Sequence, residues 1–206
     1  MAKKNSPLLK LTECSVMLAL SIALSFIKIW KMPMGGSVTL LSMLPIMLVS
    51  VKYGFKGGLP VAFLYAMFQL LMGVASGDVF VYCTTGAMVV ICVLFDYLLP
   101  FTALGCAAMF RGPADKLREK NRVAGDALLL AGFVIVVVFR FVCHYVTGFS
   151  IWGQWAPEGQ SKFIYSLIYN GQYMLPECIF TTIGAAVMIG VPVIRRQLGI
   201  KDTIKQ

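Results

Sequence analysis

The sequence encodes an all-α integral membrane protein: one domain, residues 1–206, folded as a bundle of six transmembrane helices with both termini in the cytoplasm. Three observations lead there. Apolar residues make up 59% of the chain and mean hydropathy is +0.82, well above the roughly 45–50% apolar content of soluble domains. The apolar runs are long and do not alternate with period two, so helices satisfy the backbone in lipid and a membrane barrel does not fit. Lysine and arginine gather at alternate ends of those runs, as the positive-inside rule requires.

The first helix, about 8–30, follows Lys3 and Lys4 and is too long, and too poor in a cleavage site, for a signal peptide. The second, about 37–52, is short for a hydrocarbon core of about 30 Å. The third covers about 56–73 and the fourth about 86–110, each near spanning length. A linker, RGPADKLREKNR (Arg111 to Arg122), leads to the fifth at about 124–150, and the sixth covers about 163–194. This order places Lys3, Lys4, Lys10, Lys52, Lys56, Arg111, Lys116, Arg118, Lys120, Arg122, Arg195, Arg196, Lys201 and Lys205 inside. Lys28, Lys31 and Lys162 remain outside. The net charge of +9 is thereby topogenic, and nucleic acid is excluded as a partner in favour of the lipid bilayer.

Six cysteines, Cys14, Cys83, Cys92, Cys106, Cys143 and Cys178, contain no C-x-x-C pair, and with a single histidine they lack metal-ligand spacing. No metal or cofactor is expected. There is no P-loop, no G-x-S-x-G and no H-E-x-x-H, so the chain is not expected to be an enzyme.

Ionisable residues within a span cost about 2.5–3.5 kcal/mol each on insertion scales, and so mark a partner or a purpose. Helix four carries Asp96 and Tyr97. Helix five carries Arg140 and His144 one turn apart, with Thr147 and Gly148 on the same stripe. On helix six, Tyr165, Ser166, Tyr169, Asn170, Tyr173 and Glu177 fall within an arc of roughly 140° at 100° per residue. A polar helix face inside a membrane points to the bundle interior or to a cavity. The three helices therefore converge on a pocket, with Gly35, Gly36 and Ser37 and Trp152, Gln154 and Trp155 as its outer rim. Arg140 and Asp96 can equally form a structural ion pair, and the tryptophans can be interfacial belt residues. An acidic group among aromatics suits a flat, partly cationic, hydrogen-bonding ligand.

MPMGGSV (Met32 to Val38), LPIMLVSVKYGFKGGL (Leu44 to Leu59), FDYLLPFTALG (Phe95 to Gly105), RFVCHYVTGFSIWGQWAPEG (Arg140 to Gly159) and YSLIYNGQYMLP (Tyr165 to Pro176) carry a likeness. Through them the chain resembles the thiamine-specific substrate-binding subunits of energy-coupling factor (ECF) transporters, which are vitamin importers of bacterial cell membranes. The resemblance implies a high-affinity thiamine-binding subunit, with Asp96, Tyr97, His144, Trp152, Tyr165 and Asn170 on the vitamin and Gly35, Gly36 and Ser37 in a lid; Gly148 is then expected against the ligand, and Arg140 near Asp96. It also implies partners: a transmembrane coupling subunit and two ATPase subunits that consume ATP. Ser15, Ala19 and Ala23 on helix one form a small-residue stripe at which another helix can dock, or which can pack within the bundle. Two features depart from the family pattern: Asp96 stands where some relatives have Glu, and the outer stretch Val74 to Gly86 is several residues longer. Two other readings stay open, a subunit of this architecture for another vitamin, and a stand-alone proton-coupled carrier using Asp96, Arg140 and His144.

Overall fold

The computed structural model describes residues 6–33, 35–77 and 80–200. Lys3, Lys4, Met34, Asp78, Lys201 and Lys205 lie outside the described residues. Helix α1, Pro7–Phe26, starts where Ser6 caps it by accepting the Leu9 N–H at 3.1 Å, with proline in the first turn. It ends at Phe26, short of the expected residue 30. Beyond it Lys28–Lys31 (β1) turns back and pairs antiparallel with Ser37–Thr39 (β2). The turn is closed by Met32 N–H donating to the Gly36 carbonyl at 2.7 Å. Apolar content reads helix and strand alike, and here Pro33 and the glycine pair decide for a hairpin.

The second helix is shorter than expected. Residues 37–43 are taken by β2 and a tight turn at Leu41, where φ is 59°, and α2 runs from Leu44 to Tyr53. Ten residues rise about 15 Å, half the hydrocarbon thickness. Every residue from Leu44 to Val51 is buried, and in the non-helical approach Val38, Thr39, Ser42 and Met43 are buried as well, so protein covers most of this backbone, the condition under which it is tolerated at membrane depth.

Helix α3 is Phe55–Ser76, ended by Gly77 in the left-handed region. Helix α4, Gly86–Arg118, is continuous, so the segment expected as a linker after residue 110 adds further turns to it. Helix α5 is Arg122–Ser150, capped by Asn121. Helix α6 is Lys162–Gly190, and it stops short of the expected 194 because Pro192 forces Val191 into an extended conformation; α7, Pro192–Gln197, follows. The helices α1, α3, α4, α5 and α6 are long and apolar enough to cross a membrane.

Helix α4 packs most extensively, on α5 and on α3, and α5 packs in turn along α6. At the opposite end of the bundle from the hairpin, Arg118 and Arg195 both bond Asp126, at 2.7 and 2.8 Å, and Arg118 also bonds Asp115 at 2.6 Å. Both arginines are buried. This part of the basic excess is therefore not a solvated loop but a lock that fixes how α4, α5 and α7 meet.

Candidate functional site

Pro100 shapes the fourth helix at the point that matters. A proline has no N–H for the carbonyl four residues back, and its ring clashes with that carbonyl, which here belongs to Asp96. The helix responds with a wide π turn over Val93–Leu98, Leu99 N–H reaching back to the Leu94 carbonyl. Asp96 and Tyr97 lie within that turn. Such turns recur at functional sites because they re-aim side chains.

The Asp96 carboxylate is held from α5. Its Oδ1 accepts from Thr147 Oγ1 and lies 3.0 Å from His144 Nδ1. Arg140 Nε donates to His144 Nε2 at 3.3 Å. Arginine can only donate, so Nε2 is the acceptor and the proton sits on Nδ1, facing the carboxylate. Oδ2 receives the weak Cys92 thiol donor at 3.6 Å and keeps acceptor capacity for a ligand.

Arg140 does not pair directly with Asp96. It reaches the carboxylate through His144, sends Nη1 to Met43 Sδ at 2.8 Å and lies over the Phe101 ring, 4.4 Å from its centroid. The guanidinium is thus shielded by a soft sulfur and a ring face, which suits a cation with little water around it.

On α6, Tyr173 donates to Asn170 Oδ1 at 2.7 Å, and Asn170 Nδ2 donates to the His144 carbonyl at 3.2 Å. These bonds close the wall between α5 and α6. Gly148 belongs to the same contact. A methyl group there would run into Ser166 Oγ and Asn170 Nδ2, so this glycine lets the helices approach and does not line the cavity.

The result is a cavity of about 220 Å³. Asp96, Tyr97, Arg140, His144, Trp152 and Asn170 line it, and the hairpin residues Gly36 and Ser37 cover one side. Tyr165 is not on the lining; it packs against Tyr169, which is, with ring centroids 5.8 Å apart. Gln154 bonds the Ile151 carbonyl in its own turn. Trp152 is buried and lines the cavity, whereas Trp155 is 36% exposed; the belt reading therefore fails for the first and suits the second.

Sequence reasoning missed several contributors. Thr39, Ser42, Gln69 and Phe101 line the cavity from the buried side, and Lys28 and Lys31 from the hairpin. The segment between α3 and α4 supplies aromatic support: Phe80 stacks on Tyr97 at 6.0 Å, and Tyr82 meets Trp152 edge-on at 5.4 Å. Spacing alone does not reveal these, since Phe80 and Tyr82 belong to no periodic face. Among the described residues no group of three His, Cys, Asp or Glu side chains could hold a metal ion. Ser15, Ala19 and Ala23 are all exposed on α1, so the stripe is not packed inside this chain.

Residues 11–195 match the Thiamine transporter protein (Thia_YuaJ) family. The chain belongs to this family. It is 30% identical over 183 residues to thiamine transporter ThiT of Bacillus subtilis, covering 87% of this chain and 90% of that protein. Against thiamine transporter ThiT of Lacticaseibacillus paracasei it is 23% identical over 195 residues, covering 92% and 89%. The solved structure of ThiT from Listeria monocytogenes superimposes with a TM-score of 0.72 at 21% identity, over 94% of this chain and 99% of that one; the fold is shared. This member of the thiamine transporter family is thus a transporter and not an enzyme, and with five helices among the described residues long and apolar enough to cross a membrane it is a multi-pass protein of the bacterial cell membrane.

Proposed function

We propose that the chain is the high-affinity thiamine-binding membrane subunit of an ATP-driven ECF-type importer. The observation that carries this reading is the Asp96 carboxylate, oriented by His144 and Thr147 and facing a cavity walled by Tyr97, Trp152, Tyr169 and Tyr173. Thiamine joins an aminopyrimidine, which presents N–H donors, to a cationic thiazolium. A carboxylate accepts from the first, and aromatic faces stack on both rings. Asn170 and Arg140 complete the wall, and Gly36 and Ser37 form part of the cover.

Both termini lie in the cytoplasm in this reading, and six segments cross, with α2 and its extended approach as the second. The exposed stripe Ser15, Ala19 and Ala23 docks the transmembrane coupling subunit, and two ATPase subunits supply the energy. The stand-alone carrier has one point in its favour, the continuous line Arg140–His144–Asp96. That line ends on Met43 and Phe101, neither of which passes a proton.

The test is titration of the purified chain with thiamine, followed by tryptophan fluorescence, with riboflavin and biotin as controls. Quenching by thiamine alone is expected. Equal response to all three, or none, would overturn the thiamine assignment, and uptake in cells lacking the partner subunits would favour the carrier.

A further inference from the structure

One face of α6 carries the covering hairpin along its whole descending arm. Tyr173, Glu177 and Gly184, at spacings of four and seven residues, fall on that face. Gly36 lies so close to Tyr173 that a Cβ would sit 2.6 Å from the ring. Leu41 packs over Gly184, where a methyl group would be 2.8 Å from Leu41 Cδ2. Between these two contacts Thr39 meets Glu177. The Thr39 N–H and its Oγ1 both donate to Glu177 Oε1 at 2.6 Å, and Thr39 Oγ1 also contacts Ser42 Oγ at 2.6 Å.

Glu177 is 1% exposed and is not part of the cavity lining. Among the described residues its Oε2 has no hydrogen-bond partner. A half-satisfied carboxylate at this depth is costly, and an apolar residue would fill the space more cheaply. Its bonds to Thr39 come at an irregularity in the β1–β2 pairing between Lys28 and Trp30, and two residues later Leu41 is held at φ 59°. A branched side chain in the left-handed region stores strain that the surroundings must hold.

We propose that Glu177 is a positioning residue for thiamine binding: it latches the hairpin onto α6 through Thr39 and thereby sets how long the closed cavity retains its ligand. Glu177 itself lies off the cavity lining and acts on the cover through Thr39, so its effect belongs to dissociation more than to association. The proposal rests on the reading of the cavity as the thiamine site.

Stopped-flow tryptophan fluorescence on the full chain in nanodiscs measures both rates with thiamine. Glu177→Leu removes both accepted hydrogen bonds and is expected to raise the dissociation rate about 10- to 100-fold, with association within about threefold of the parent. Glu177→Gln keeps an acceptor for the Thr39 N–H and is expected to recover most of the residence time. Thr39→Val keeps the backbone donor and removes the hydroxyl, and about a 3- to 10-fold faster dissociation is expected. If Glu177→Leu does not fold, Thr39→Val decides. Parental dissociation rates in Glu177→Leu, or in Thr39→Val where Glu177→Leu does not fold, overturn the latch and leave the thiamine site standing. A parent chain that does not bind thiamine overturns both.

Discussion

Asp96 shows how much one side chain depends on its neighbours. Two donors from α5 fix its Oδ1, and the amide of Asn could accept both of them, so Asp96→Asn is expected to fold. What it removes is the negative charge toward the ligand, worth about 1.5–3 kcal/mol in a charge-assisted contact, or roughly 10- to 150-fold in affinity. Titration calorimetry with thiamine on monodisperse protein measures this. Parental affinity would show that the carboxylate serves only to orient His144 and Thr147. Trp152→Ala belongs beside it: the ring is buried between the cavity and Tyr82, so a loss on the order of 1–2 kcal/mol is expected, where a belt tryptophan would show almost none.

Among the helices, α4 makes the sharpest case, because its π turn has a covalent cause in Pro100. Pro100→Ala restores the N–H and lets an ordinary α turn form, which would swing Asp96 and Tyr97 away from their present aim. The expected outcome is a protein at least as resistant to heat as the parent, with thiamine affinity lowered at least about tenfold. Unchanged affinity would mean that tertiary contacts, and not the proline, hold the turn. For α1 the expectation is the reverse. Ala19 is exposed and lies on the helix opposite the buried Ser21 and Ser25 contacts, so Ala19→Trp is expected to leave thiamine binding nearly intact and abolish uptake in cells. Equal loss of both would place Ala19 in the chain's own folding.

Across the molecule, the distribution of charge and the position of the cavity make one statement about orientation. The hairpin and the 152–155 turn cover one end of the bundle, and the Arg118–Asp126–Arg195 lock occupies the other. In the orientation proposed above, with the basic end in the cytoplasm, membrane-impermeant thiol reagents applied to intact cells should label cysteines placed at Gly36 and Glu158, and not one placed at Lys116. Labelling at Lys116 would invert the topology and with it the side from which ligand enters.

The sequence by itself determined the membrane environment, the helical architecture, and the three helices whose polar stripes meet. Hydropathy and a 3.6-residue period are local properties, so they survive in a linear reading. The pocket residues Asp96, His144 and Asn170 were legible for the same reason: an ionisable or amide group in an apolar run stands out wherever it is. Tertiary structure alone decided the rest. That residues 28–31 and 37–39 pair as a hairpin depends on a chain reversal within an apolar segment, where helix and strand have the same composition. That Arg140 ends on Met43 and Phe101 depends on α2 and α4 packing beside α5, far apart in sequence. That Glu177 grips Thr39, 138 residues away, depends on the hairpin descending along α6. Periodicity reports which face of an element is buried, and only the packed bundle says what that face meets.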